Sequence, residues 1–306
     1  MPFPSSLHAR PTCFDPLPPG AAIGVIAPAG PAPIGDVERI APWLEARGYR
    51  ARVFPGCREN GGYLAGCDDV RLADLHAAFA DDTIDAIVCM RGGYGSARLL
   101  DRIDFDLVAS HAKPFVGYSD ITALHIAFNQ HAGLPTIHAP MLTSDMLKEN
   151  GAVSAEALFA LLAGGLPRGA ALARGDAVPR TLVGGTAAGR LAGGNLTVVC
   201  SLLGTRWAID AHGAILFLEE IGEAPYRVDR MLNQLRLAGV LEAARGFVIG
   251  SFSDAEDATA VIEEYLAPLG KPAILGWPSG HCAPNYPLPF GVDVALDARE
   301  GMLVLA

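Results

Sequence analysis

Three short, mainly apolar runs set the frame for this chain: Ala-Ile-Gly-Val-Ile-Ala at 22–27, Ile-Asp-Ala-Ile-Val-Cys-Met at 84–90 and Phe-Val-Gly at 115–117. Each breaks off at a corner containing Gly, Pro or Ser, and each is followed by helical periodicity. Runs of this length between turn residues read as buried strands. After the first, Val37, Ile40, Trp43 and Leu44 share one helical face, with Gly48 as a stop and Pro42 as a potential break. Residues 50–54 read as another strand, 69–79 as a helix, and 96–100 as the start of a third. Strands alternating with helices predict an α/β fold, a parallel sheet covered on both faces. Such sheets bind ligands beyond the carboxyl ends of their strands. The corners at 28–31, 91–95 and 118–120 lie at such ends and are expected to share one crevice.

The 306 residues, 51% of them hydrophobic, suffice for two domains of about 100–200 residues each. We place the first at 1–163, a linker rich in Gly, Pro and Arg at 164–185, and the second at 186–306. The second reads as smaller, mixed and β-rich. Its strands are expected at 188–192, 214–218, 247–249, 273–275, 292–296 and 302–305, and its helices at 196–203 and 226–237. A net charge of −10, with no Lys/Arg block, argues against a nucleic-acid surface. None of the six cysteines forms a CxxC pair, which removes zinc-ribbon and thioredoxin readings and fits a reducing compartment. Residues 1–10 lack a basic region followed by an apolar core, so no signal peptide is expected. No run approaches the roughly 18–20 apolar residues of a membrane span. The expectation is a soluble cytoplasmic protein.

Gly117-Tyr-Ser-Asp120 is a strand-to-helix corner. Ser119 or Asp120 there reads either as a helix N-cap or as part of a nucleophile site, where the first free helix amides can hold a developing anion. Arg91-Gly-Gly-Tyr-Gly95 lacks the dinucleotide and P-loop spacings. It is either a tight turn or a loop lending a backbone amide to an oxyanion and Arg91 to an anionic part of a substrate. Glu219 and Glu220 end an apolar run, where carboxylates usually face solvent, though one could instead orient an imidazole. Among eight histidines, His281 sits in a Pro- and Gly-rich loop at 276–291, where a base could face a pocket. His138 is open to either reading, and His76, His111, His125 and His131 fall to packing or capping. No metal-ligand spacing occurs. The order Ser119, carboxylate, His281 is shared with the α/β-hydrolases, but Gly117-Tyr-Ser-Asp-Ile121 is not GxSxG.

Several short motifs occur together from about residue 22 to the C-terminus: Gly24-Val-Ile-Ala-Pro-Ala-Gly30, Arg91-Gly-Gly-Tyr-Gly95, Gly117-Tyr-Ser-Asp120, Gly193-Gly-Asn-Leu196, Leu216-Phe-Leu-Glu219, Tyr226-Arg-Val-Asp-Arg230 and Gly280-His281. Their combination resembles the LD-carboxypeptidases, the muramoyltetrapeptide carboxypeptidase family of serine peptidases. The resemblance implies a Rossmann-like N-terminal domain, a smaller β-rich C-terminal domain, and a homodimer. It implies Ser119 as nucleophile, Glu219 as orienting carboxylate and His281 as base. Glu220 matches a position where the family often has Asp and receives no catalytic role. Ile137-His-Ala-Pro-Met141 departs from the family's more usual His-Gly-Pro-Met. The reaction implied is release of the terminal D-Ala from an L,D peptide bond of a cytoplasmic murein tetrapeptide, a recycling step without metal or cofactor. The amides of Gly92, Gly93 and Asp120 would hold the oxyanion, and Arg91 is the candidate partner of the substrate carboxylate. The alternative inside the family is a microcin-immunity-like peptidase acting on peptidyl or acyl-sulfamoyl nucleotides. Outside it stand a two-domain ligand-binding protein without turnover and an ordinary esterase.

Overall fold

The computed structural model describes residues 15–306. The stretch 1–10 read for a signal peptide, with His8 and also Cys13, lies outside them. In chain order the elements are β1 (Ala22–Ile26), α1 (Ile34–Glu45), β2 (Arg50–Val53), α2 (Asp68–Ala80), β3 (Ala86–Cys89), α3 (Phe105–Ser110), β4 (Phe115–Gly117), α4 (Thr122–Ala127), β5 (Thr136–His138), α5 (Ala152–Gly164), β6 (Arg180–Val183), β7 (Thr186–Asn195), α6 (Leu196–Ser201), β8 (Ile215–Ile221), α7 (Pro225–Leu237), α8 (Val240–Ala243), β9 (Gly246–Ser253), α9 (Thr259–Leu266), β10 (Ala273–Leu275), β11 (Leu288–Phe290), β12 (Asp293–Asp297) and β13 (Met302–Leu305).

The first sheet has the order β11-β5-β4-β3-β1-β2. Its strands are parallel except β11, which pairs antiparallel with β5. Every residue of β1, β3, β4 and β5 is buried, as expected for strands covered on both faces. The strand β11 corrects the reading of 276–291 as loop throughout. It includes Pro289, which cannot donate to a ladder and is tolerated because β11 is an edge strand. Pro42 does not break α1. The carbonyl it leaves unpaired, four residues back at Glu38, lies on the exposed face, where water can satisfy it. The start of a helix expected at 96–100 is a 3-10 turn, Ser96–Arg102. Then α3 begins, with Asp104 accepting from the Leu107 amide at 2.9 Å as its cap.

The second sheet runs β13-β12-β7-β8-β9-β10-β6. Its centre, β7 to β10, is parallel, and antiparallel strands flank it on both sides. Within the stretch read as linker, residues 180–183 form β6, the edge strand beside β10. The fold is therefore a two-lobed α/β fold, a parallel-rich sheet followed by a mixed one.

One apolar cluster runs between the lobes, joining Ile87, Phe115 and Leu124 to Leu196, Leu216 and Leu218. A polar pin crosses at the same place. The Thr122 hydroxyl, at the start of α4, accepts from the Asn195 amide at the end of β7 at 3.0 Å. Gly194 permits this approach: its φ is 135°, and a Cβ there would lie 2.4 Å from Thr122 Oγ1. The helix that follows Ser119 is thus fastened to the strand beside Glu219.

Candidate active site

Ser119 stands at the carboxyl end of β4 with φ 63°. A non-glycine residue in this region costs about 1–3 kcal/mol and persists only where the surroundings enforce it. Both N-cap readings are corrected. Tyr118 occupies the cap position of the 3-10 turn Ser119–Ile121, and no side chain caps it. The Asp120 carboxylate is turned away and accepts from the Ser96 amide at 2.8 Å, so it holds the neighbouring glycine loop. That loop returns close to the hydroxyl. A Cβ on Gly92 would lie 2.9 Å from Ser119 Cβ, 3.1 Å from its Oγ and 3.5 Å from the Asp120 nitrogen. Gly93, with φ 121°, packs its backbone on Gly30. The turn at 28–31 acts from behind: the Gly30 amide donates to the Gly92 carbonyl at 3.1 Å.

Across the cleft, Glu219 and Glu220 are buried rather than solvent-facing, which corrects the expectation for carboxylates at a strand end. They lie inside β8, so successive side chains diverge. Glu220 holds the Asn195 amide group at 2.9 Å and the Thr197 backbone nitrogen at 2.7 Å. Glu219 Oε2 accepts from His281 twice, from Nδ1 at 2.7 Å and from the backbone nitrogen at 3.1 Å. With Nδ1 engaged by a carboxylate, Nε2 of a neutral imidazole is left as the proton acceptor.

The loop that carries His281 is fixed at several points. Ser251 and Ser253 donate their hydroxyls to the His281 carbonyl at 3.1 and 2.8 Å. The Gly280 amide donates to Asn285 Oδ1 at 3.1 Å, and the Asn285 amide to Ser154 of α5 at 2.9 Å. Gly280 has φ 100°, and a Cβ there would lie 2.5 Å from Glu219 Oε2. Gly280→Ala is therefore expected to destabilise the protein by about 1–3 kcal/mol and to lower turnover. Urea denaturation with an activity assay checks both.

A cleft of about 710 Å³ collects these groups: Arg91, Gly92, Gly93, Tyr118, Ser119 and His281 all line it. Asp120 contributes its backbone at the corner, and Glu219 lies behind His281. Ser119 and His281 share no direct hydrogen bond among the described residues. Arg91 donates to the Pro31 carbonyl at 3.0 Å, its Nε is buried without a partner, and no described carboxylate pairs with it. Burial pushes the His281 imidazolium down, but the Glu219 hydrogen bond and the charges of Glu219, Glu220 and Asp145 outweigh it. The net shift is upward from 6.5. Desolvation lowers His138 well below the usual range, and it stays neutral in the core. Among the described residues, no group of three His, Cys, Asp or Glu could hold a metal ion, and no helix is long and apolar enough to cross a membrane.

Sequence reasoning missed several supporting residues. Buried Arg71 donates to the carbonyls of Pro28 and Gly95 and ties two loops together. Its signal was a charged residue between the apolar positions Val70 and Leu72 of the helix. The alternating Ser251 and Ser253 at the end of β9 gave another. Thr122 and Asn285 gave none, because their partners are 73 and 131 residues away.

The chain is similar to known proteins over most of its length. Residues 23–139 match the family model described as LD-carboxypeptidase N-terminal domain, and 188–296 match the LD-carboxypeptidase C-terminal domain. A "Probable murein peptide carboxypeptidase" of Bacillus subtilis (strain 168) is 38% identical, over 98% of this chain and 95% of its own length. The crystal structure of muramoyltetrapeptide carboxypeptidase from Oxalobacter formigenes superimposes with a TM-score of 0.81 at 30% identity, covering 92% of this chain and 97% of that one. MccF in complex with glutamyl sulfamoyl guanosine superimposes at 0.89 with 21% identity, covering 97% and 98%, a likeness of fold alone. The protein is a serine-type carboxypeptidase, a hydrolase. More particularly, the chain belongs to the LD-carboxypeptidase family.

Proposed function

We propose that this chain hydrolyses the L,D peptide bond that releases the terminal D-Ala of murein tetrapeptides, as a cytoplasmic step in peptidoglycan recycling. The observation that carries the reading is the 2.7 Å Glu219–His281 pair in the same cleft as the strained Ser119 corner. His281 Nε2 takes the proton from Ser119 Oγ as that oxygen bonds to the carbonyl carbon preceding D-Ala. The amides of Gly92, Gly93 and Asp120 hold the resulting oxyanion. The C–N bond then breaks, His281 gives its proton to the leaving amine, and an acyl-serine remains. Water, activated by the same imidazole, releases the shortened peptide and regenerates the hydroxyl. Mass spectrometry of a murein tetrapeptide incubated with the protein tests the reading. Loss of one D-Ala is expected, and an unchanged peptide would overturn it.

Two further outcomes are expected. His281 must be neutral to accept the proton, and its pKa is raised from 6.5. The kcat/KM profile should therefore fall with decreasing pH through a limb above 6.5. A limb below that value would count against His281 as the base. Arg91→Met should raise KM about 10–100-fold with kcat largely kept, because one charge-assisted bond to the terminal carboxylate is lost. Unchanged affinity would remove Arg91 from the role.

The second reading, cleavage of acyl-sulfamoyl or peptidyl nucleotides, has the MccF fold match in its favour. The carboxypeptidase relatives share more sequence, at 38% and 30% identity, and favour the first. Parallel assays on both substrate types separate them. The proposal includes a homodimer, which light scattering of the purified protein checks.

A further inference from the structure

Beside the site lies an aromatic and acidic contact that the reaction scheme leaves unused. Tyr118, the residue before Ser119, is buried, and its ring centroid lies 4.8 Å from that of His281. Its hydroxyl donates to Asp145 Oδ1 at 3.0 Å. The other carboxylate oxygen, Asp145 Oδ2, accepts from the Met141 amide at 2.9 Å. Asp145 belongs to the turn Leu142–Met146 that follows β5, and it lines the same cleft. The Tyr118 ring also meets His138, edge to face, at 5.8 Å between centroids. The ring therefore touches both a buried, neutral imidazole and the one that lines the cleft.

We propose that Tyr118 and Asp145 form a positioning pair: Asp145 anchors the Tyr118 hydroxyl, and the Tyr118 ring is the wall that keeps His281 in one rotamer facing Ser119. The proposal rests on His281 acting as the base. Glu219 fixes His281 through one edge only, so the ring could still swing about that bond. A flat buried wall removes this freedom, and misplacement of a reacting group by about 1 Å can cost 10²-fold. The pair also adds charge. The groups around His281 are Glu219 from β8, Asp145 and Tyr118 from the first lobe, neutral His138 from β5 and the neighbouring thiol of Cys282, whose pKa burial pushes up to about 12, while Glu220 acts by its charge from the other face of β8. Lys148 and Asp254 line the cleft farther along. Asp145 is thus the anion of the first lobe that favours the imidazolium, in addition to the two glutamates of the second.

The test uses Tyr118→Phe, Tyr118→Leu and Asp145→Asn in the full chain, with kcat, KM and the pH profile measured on a murein tetrapeptide. Tyr118→Leu is expected to lower kcat about 10–100-fold with KM within about twofold, and Tyr118→Phe, which keeps the ring, to lower it less. Asp145→Asn should move the acid limb of kcat/KM to lower pH, and NMR titration of the His281 imidazole should move with it. A purely structural role would leave that limb in place. Circular dichroism identifies a variant that has not folded, and Tyr118→Phe and Asp145→Asn, both nearly isosteric, then decide. Full kcat in folded Tyr118→Leu, an unmoved limb in Asp145→Asn, or an effect on KM alone would each overturn the pair. His281→Ala separates the two readings. Its inactivity beside a fully active Tyr118→Leu overturns the positioning pair alone, and its full activity overturns both.

Discussion

Ser119→Ala is expected to lower kcat on a murein tetrapeptide about 10⁴–10⁶-fold while leaving affinity within about twofold. The change removes one oxygen and little else. The Ser119 hydroxyl makes no hydrogen bond to another described residue, and the contact between Ser119 Cβ and Gly92 survives in alanine. Alanine at φ 63° is strained much as serine is, so the fold should hold. What disappears is the atom that bonds to the carbonyl carbon. Residual turnover would come from the oxyanion amides and from binding alone. Calorimetric binding beside a mass-spectrometric assay for released D-Ala reads both quantities. Turnover above about 1% of the unmodified protein would end the nucleophile assignment. Unchanged function would favour the ligand-binding alternative.

Glu219→Gln is expected to lower kcat about 10²–10⁴-fold. The glutamine carbonyl can take the place of Oε2 and keep both bonds to His281, so the variant chiefly removes charge. That charge matters because Glu219 is fully buried, where water cannot replace it. The imidazolium formed when His281 takes the Ser119 proton would lose its nearest counter-ion. The acid limb of the pH profile should move to lower pH at the same time, since the bond and charge that raise His281 are weakened. Activity within about threefold of the unmodified protein, with an unmoved limb, would leave Glu219 without its orienting role.

The N-terminal half was the more legible in sequence. Its strands β1, β3 and β4 are buried on both faces, so each reads as a short apolar run, and its helices repeat Val, Leu and Phe at helical spacing. The failures have physical causes. Leu288-Pro-Phe290 carries a proline and only three strand residues, and it becomes β11 because β5 offers an open edge. Thr259–Leu266 lies after an acidic stretch, and its core face needs α7 beside it. The strand expected at 188–192 continues through Gly193 and Gly194, so that β7 reaches Asn195. Their positive φ values and the close approach of Phe217 and Thr122 exclude side chains there.

Local chemistry alone determined the alternation of elements and the placing of glycine and serine at strand ends, because burial periodicity and backbone sterics act over a few residues. Only the tertiary structure decided which acid meets which imidazole. Strand geometry sends Glu219 and Glu220 to opposite faces, but which face looks into the cleft depends on how the second sheet seats against α4. The loop after β10, held to β9 by Ser251 and Ser253, brings partners 62 residues apart together at 2.7 Å, and the Thr122–Asn195 pin with the apolar cluster beneath it seats that pair against the Ser119 lobe.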